Sequence, residues 1–402
     1  MTRHVLLITS SNLASNPRCL KEVQLLSSMN IKISVVAFEF NNWTGEKERM
    51  INNELDQVNF YYIDATKKNF LLWFFSTLTE RFCRLISSLF PFNIYLSALA
   101  INKRSWLLLR WVKNWKEKTD LIIAHNPAAF YPAWMLSRKI KRPFAIDIED
   151  YHPGEGDNKK EQKNIMRVMK FILPRVCYVS YASPLIKKYT ENFLEANKPN
   201  GFVINNSFPD NEFKPPLVQK EKLQLIWFSQ YINYDRGLEK LLPALDLFKD
   251  ELTLTLIGEP RPYFYETEIK HRNYIICKPT MPQKELHASL RMFDVGLAIE
   301  EKLFDINRDI CLTNKIWAYF QAGLYILASD TKSQELFIND HKEHGVCITL
   351  EKPCMEKEIE AILKNIEIIR SGSHLRFQNA KLYCWENELL PLRNSLNKLL
   401  SR

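Results

Sequence analysis

The chain has 402 residues, more than one hydrophobic core usually serves, so two domains of roughly 150–200 residues each are expected. Hydrophobic residues make up 46% and charged residues 25%, with a net charge of +9, which excludes disordered, collagen-like and coiled-coil chains. Only 10 glycines occur, against about 28 at the average usage of ~7%, so neither GxGxxG nor GxxxxGKS/T can be written and NAD, FAD or P-loop ATP chemistry is not expected. The first residues, MTRHVLLITSSNLASNPR, hold too short an apolar run for a secretory signal and read instead as a buried parallel strand, His4 to Ser10. Strand-like runs follow at Ile33–Phe38, Leu121–Ala124, Phe144–Ile148, Cys177–Tyr181 and Phe202–Ile204. Between them lie the helical patterns Arg18–Met29, Trp106–Lys118 and Lys163–Phe171. Such alternation argues a parallel sheet covered on both faces.

A segment rich in Pro, Asn and Lys, residues 205–222, reads as a linker, and the alternation then restarts. Strands are expected at Leu225–Phe228, Leu252–Ile257 ending at Gly258, Tyr274–Cys277, Val295–Ile299 and Tyr325–Ala328. Helices are expected at Gly237–Phe248, Gln283–Arg291 and Thr313–Gln321, and an amphipathic stretch, Leu375 to Leu400, closes the chain. The fold class is therefore α/β with two doubly wound parallel sheets. The first domain takes residues 1–208 with a terminal helix, 378–402, returning to it, and the second takes 222–377. Ligands of open α/β sheets bind beyond the carboxyl ends of the strands, so a shared cleft is the expected site.

The eight cysteines are scattered, with no CxxC and no zinc spacing, which suits reduced thiols in a cytoplasmic protein without a metal. Charge is concentrated between Lys67 and Lys118, where ten Lys/Arg face two Glu, a net +8, among eleven aromatics. Cations interleaved with Trp and Phe suit a membrane interface, so residues 70–118 are expected to dock on the cytoplasmic face of the inner membrane. Leu85 to Asn102 is uncharged but too short and too polar to span. The same run also suits packed helices with a basic outer face. No nucleic-acid module is legible, and no nucleic-acid partner is expected.

Polar residues follow the strands where such a site needs them. Ser11, Asn16 and Arg18 follow the first strand and could hold an anion without glycine. His125 and Asn126 follow the Leu121 strand. The run Asp147 to Glu155 is the densest acid/base cluster, and Glu149, Asp150, His152 and Glu155 supply a base, an acid or acceptors for sugar hydroxyls. In the second half, Ser229 and Gln230 end a strand, Arg236 precedes a helix, and Glu300, Glu301 and Asp309 lead into Thr313, Asn314 and Lys315.

The string TNKIWAYFQAGLYILASD (Thr313–Asp330) resembles the nucleotide-sugar signature NKxxEYMAAGxPVIAS of GT-B glycosyltransferases related to family 4. IWFSQYINYDRGLEKLLPAL (Ile226–Leu245) resembles the entry into their second domain. Fainter echoes occur at Met281–Ala298, at the DIEDYHPGE loop and at Tyr383–Glu386, in the family's order. The resemblance implies two Rossmann-like domains facing a cleft, with a UDP- or GDP-type sugar donor in the second and a glycan or lipid-linked acceptor in the first. It implies metal-independent, retaining transfer in cell-surface polysaccharide (capsule or lipopolysaccharide) biosynthesis, with no cofactor beyond the nucleotide sugar. By position, Arg236 holds the donor diphosphate and Asn314 and Lys315 approach the phosphates or sugar, with Ser229, Gln230, Gly258 and Thr313 beside them. His125 and the Asp150/His152 loop face the anomeric carbon. The family's two glutamates eight positions apart fall on Ile310 and Ala318, and the Arg usual before the phosphate-binding cation falls on Gln230. Glu300, Glu301 and Asp309 are the candidate substitutes. A catalytically impaired nucleotide-binding scaffold and a sugar-nucleotide epimerase are the competing readings.

Overall fold

The computed structural model describes residues 3–401 except 43, 195, 196 and 218–220; the last three belong to the expected linker and lie outside the described residues. Residues Met1–Ile204 with Pro391–Arg402 form one compact unit, and Asn205–Leu390 form the second.

The first unit is built on seven parallel strands: β1 (His4–Thr9), β2 (Lys32–Glu39), β3 (Val58–Asp64), β4 (Leu121–His125), β5 (Phe144–Ile148), β6 (Val179–Tyr181) and β7 (Gly201–Val203). Their spatial order is β3-β2-β1-β4-β5-β6-β7. The central strands are buried along their whole length, as sheets covered on both faces require, which is why they read as unbroken apolar runs. β3 escaped the sequence reading because it is an edge strand, half-exposed and partly polar (VNFYYID). The covering helices are α1 (Pro17–Ser28), α2 (Thr44–Glu54), α3 (Phe70–Ile86), α4 (Ile94–Ile101), α5 (Lys103–Lys113), α6 (Pro127–Ile140), α7 (Lys159–Ile172) and α8 (Pro184–Asn192). Asparagine does much of the capping. The side chains of Asn16, Asn69, Asn93, Asn102 and Asn158 each accept a backbone N–H in the first turn of α1, α3, α4, α5 and α7.

The second unit has six parallel strands: β8 (Leu223–Ile232), β9 (Leu252–Pro260), β10 (Ile275–Lys278), β11 (Val295–Ala298), β12 (Tyr325–Ser329) and β13 (Gly345–Ile348), ordered β10-β9-β8-β11-β12-β13. One face packs on α9 (Leu238–Leu245) and the helix Lys352–Lys364. The other face is covered by the helix Asn314–Gln321, whose Trp317, Tyr319 and Phe320 are buried. The expected terminal amphipathic stretch is three helices, Ser373–Ala380, Trp385–Glu388 and Leu390–Leu400, because Cys384 adopts an extended conformation between the first two. Leu392, Leu396 and Leu400 of the last helix are buried.

Both sheets reverse direction of growth once, between β1 and β4 in the first and between β8 and β11 in the second. Those two points, beyond the strand carboxyl ends, are where such sheets open a crevice.

Candidate functional site

In the first unit the strand register lines up a row of polar side chains. Thr9 lies beside His125, His125 beside Asp147 and Asp147 beside Ser180. Arg18 and Glu22, one helical turn apart on α1, lie over this row. Arg18 grips Asp147 through Nε (2.8 Å) and Nη2 (2.6 Å) and donates Nη1 to the Ile204 carbonyl (2.7 Å). His125 Nε2 meets Glu22 at 2.8 Å, its Nδ1 lies 3.5 Å from Asp147, and Ser180 donates to Asp147 at 2.6 Å. Burial alone would raise the Asp147 carboxyl, but Arg18 and His125 outweigh it and hold Asp147 well below the usual carboxylate range. Burial likewise opposes the His125 charge, yet Cys19, Asp147 and Glu22 raise its pKa well above the ordinary value.

Arg18 and His125 are therefore internal groups, 7% and 1% exposed, and neither is presented to a ligand. The loop before α1 is similarly self-satisfied. Glu48 accepts the N–H groups of Leu13 and Ala14, Asn16 accepts that of Cys19, and Ser11 bonds Ser15. The expected glycine-free anion site at this helix start is thus occupied by the protein's own side chains.

The polar cavity of this unit begins one residue further on. Asn126 has φ 68° and ψ 145°, a region that costs a non-glycine residue about 1–3 kcal/mol and persists where surroundings over-determine it. Here Thr9 Oγ1 donates to its Oδ1 at 2.7 Å, and its Nδ2 donates to Glu149. Glu149 is half-buried, and burial together with the Asp150 charge pushes its carboxyl up to about 7. His152 Nδ1 pairs with Glu155 at 3.2 Å, while its Nε2 is buried without a hydrogen-bond partner among the described residues. Burial opposes the His152 charge, but Glu155 raises its pKa. Ser11, Asn126, Glu149, Asp150, His152 and Glu155 line one cavity of about 430 Å³. So does Arg104 of α5, which the sequence reading assigned to the basic patch alone. Arg104 Nη1 donates to the Ser10 carbonyl at 2.7 Å, and its guanidinium stacks 4.6 Å from the Phe40 ring centroid. Its position just after an Asn cap was the signal available in sequence; that it faces the first strand's end is a tertiary relation.

In the second unit, β8 and β9 shift register between Phe228 and Tyr231, so Ser229 and Gln230 sit on a bulge at the switch point. Gly258 on β9 has φ 152°, and a Cβ there would stand 2.1 Å from the Ser229 carbonyl, so only glycine lets the two strands approach. Glu300, 3% exposed, follows β11 and bridges two cations: Lys315 Nζ at 2.7 Å and Arg236 Nη1 at 3.7 Å. Lys315 is itself 7% exposed and lies 5.3 Å from the Trp227 ring centroid, whereas the Arg236 side chain is 42% exposed. Gly237, φ 78°, turns the chain into α9, and a Cβ there would strike Ile299 at 2.7 Å. Thr313 Oγ1 is buried without a partner among the described residues, and Asn314 is exposed beside it.

Of the candidate acids, Glu301 pairs with Lys240 at 2.7 Å and Asp309 with Lys332 at 2.5 Å, so both serve the protein's own cations. Ile310 and Ala318 are fully buried. Arg308, beside Asp309, was also passed over as a site residue; its Nη1 donates to the Asp235 carbonyl at 2.6 Å, next to Arg236. Among the described residues no cluster of His, Cys, Asp or Glu is placed to hold a metal ion, and all eight cysteines are free thiols.

No family model and no curated protein matches the chain. Solved structures do. HepE of Anabaena, in complex with UDP, superposes with a TM-score of 0.67 at 13% identity over 99% of this chain and 100% of its own. Sucrose-phosphate synthase of Thermosynechococcus elongatus gives 0.66 at 11% identity over the whole of both chains. The α,α-trehalose 6-phosphate synthase of Burkholderia multivorans gives 0.64 at 10% identity over 100% and 98%. With its two parallel sheets and its terminal helix in the first unit, the chain has the GT-B fold that these structures share.

Proposed function

We propose that the chain is a glycosyltransferase that moves a sugar from a nucleotide-sugar donor of UDP or GDP type to a glycan or lipid-linked acceptor, with retention, in building cell-surface polysaccharide. The observation that carries this reading is the polar equipment of both sheet switch points, cationic in the second unit and acid/base in the first. The donor belongs to the second unit, with its diphosphate at Arg236 and its sugar near Thr313 and Asn314. The acceptor belongs to the cavity of the first unit. The bond between the anomeric carbon and the diphosphate breaks, the leaving group keeps the electron pair, and Arg236 offsets its charge. The acceptor hydroxyl oxygen bonds the anomeric carbon and its proton passes to a carboxylate of the Glu149–Glu155 loop, with Asp150 and His152 positioned beside it. HepE, one of the structures of like fold, was solved with UDP-glucose, which favours a UDP donor.

The same reading places the protein at the cytoplasmic membrane surface. Phe70, Leu71, Phe74, Phe75, Phe82 and Leu85 of α3 are all exposed, and Lys67, Lys68 and Arg81 flank them. An amphipathic face of this kind suits shallow burial in an anionic lipid surface. Among the described residues no helix is long and apolar enough to cross a membrane. A panel of UDP- and GDP-sugars, followed for donor hydrolysis and transfer, tests the activity. Nucleotide binding with no turnover on any donor and acceptor offered would turn the reading toward a binding scaffold.

A further inference from the structure

A group of cations lies between the exposed face of α3 and the first unit's cavity. Lys67 Nζ and Lys103 Nζ both lie over the ring of Trp73, at 5.0 and 5.5 Å from its centroid. Arg104, next in the chain, lines the cavity, and its Nε is buried without a hydrogen-bond partner among the described residues. None of the three forms an ion pair among the described residues. The nearby carboxylate, Glu80, is engaged: Arg84 holds one oxygen at 2.7 Å and the Lys103 backbone N–H the other at 2.9 Å. Burial lowers the Lys103 pKa, the charges of Arg104 and Lys67 lower it further, and Glu80 offsets them only in part, so Lys103 is held against its two cationic neighbours.

Three like charges with one nearby carboxylate that Arg84 already holds, one of them in a cavity wall, form a site for an anion with several oxygens. What lies on either side fixes which anion. Toward α3 the surface is apolar, with Phe70, Phe74 and Leu71 exposed. Inward, the cavity wall changes to Asn126, Glu149, Asp150 and His152, a set that suits sugar hydroxyls. We propose that Lys67, Lys103 and Arg104 bind the diphosphate of a lipid-linked acceptor, whose lipid lies along α3 and whose sugar enters the cavity. The inference rests on the glycosyltransferase reading for the sugar's role, and on this cluster alone for the anion.

The test uses the full chain and farnesyl diphosphate in nanodiscs of neutral phosphatidylcholine at 0.1 M salt, with farnesol as the uncharged control and UDP as the probe of the second unit. The diphosphate should bind at least tenfold tighter than farnesol. Lys67→Gln with Lys103→Gln should erase most of that margin while leaving UDP affinity unchanged. Arg104→Lys, which keeps the charge but cannot reproduce the guanidinium's fork, should weaken it by a smaller factor. Equal affinity for diphosphate and farnesol overturns the site, as does a margin that survives the double substitution. Variants that lose binding to vesicles with 30% phosphatidylglycerol but keep farnesyl diphosphate also overturn it, since the cations would then serve only general surface attraction. Failure to bind UDP alongside intact diphosphate affinity would sink the donor reading and still support this site.

Discussion

Glu300 sets unequal roles for the two cations it touches. Arg236 is the exposed partner, so Arg236→Ala should weaken nucleotide-sugar binding by about 10- to 150-fold, the range for one charge-assisted contact of 1.5–3 kcal/mol, with little change in melting temperature. Lys315→Ala should instead strand a buried carboxylate and cost about 3–5 kcal/mol of stability, which Glu300→Gln in the same chain should largely restore. Equal melting temperatures for the two single variants would show that this division is mistaken. Glu149 gives a second signature. Its folded-state value of about 7 lies above the ~4.3 of an unfolded chain, so its ionisation opposes folding as pH rises from about 5 to 7. Glu149→Gln should therefore melt higher than wild type at pH 8, lose 10²–10⁴-fold in turnover, and lose any rise of rate through pH 7. A residue that served structure alone would lower stability and activity together. The sequence placed Glu149, Asp150 and His152 together after one strand, where they line the first unit's cavity, but could not separate them from the buried Arg18 and His125. Residues at strand ends face either a ligand or a neighbouring strand, and only the register of His125 against Thr9 and Asp147 decides that.

At the scale of elements, composition located the basic aromatic stretch but not its orientation. Trp115, just past α5, is buried against Tyr61 and His4, and Trp111 of α5 packs on the same tyrosine, so these two rings pack the unit's own interior. The outward apolar residues belong to α3 and the turn after it, where Phe92 is 95% exposed. A membrane dock therefore narrows from residues 70–118 to about 70–92. Phe74→Ser with Phe82→Ser should reduce flotation with anionic vesicles at every ionic strength. Raising salt from 0.1 to 1 M should remove the electrostatic share, as the Debye length falls from ~10 to ~3 Å. Flotation unchanged by both treatments would exclude this face as the dock. The bulge at Ser229–Gln230 was beyond reach for a related reason: a bulge is a relation between two strands, and β8 alone reads as an ordinary apolar run.

For the whole molecule, most strands of both sheets were legible, because parallel strands buried on both faces leave runs that need no partner to be recognised. β3 was not, since this edge strand is wetted on one side and keeps polar residues, and β13 was not, since its four residues, GVCI, make too short a run. The motif strings pointed to the same fold that the solved structures share, although pairwise identity is only 10–13%. The scarcity of glycine also resolves at this scale. Asparagine and serine caps do the work of glycine turns at the helix starts, and glycine is kept where a side chain cannot fit, as at Gly237 and Gly258.

The first unit is discontinuous in the chain: it is left at Ile204 and rejoined at Pro391. A ribosome therefore delivers the last piece of that unit only after the entire second unit has emerged, so the seven-stranded sheet waits with the seats of Leu392, Leu396 and Leu400 unfilled. During that interval the apolar floor beneath the final helix is open to chaperones, to proteases and to other unfinished copies. A chain stopped after Leu390 should therefore be cut by protease in its first unit faster than the full chain, while the second unit persists as a resistant fragment. Supplying residues 389–402 as a separate peptide should slow that cleavage in proportion to the occupancy it reaches. Equal cleavage rates for the stopped and full chains would show that the first unit closes without its last helix.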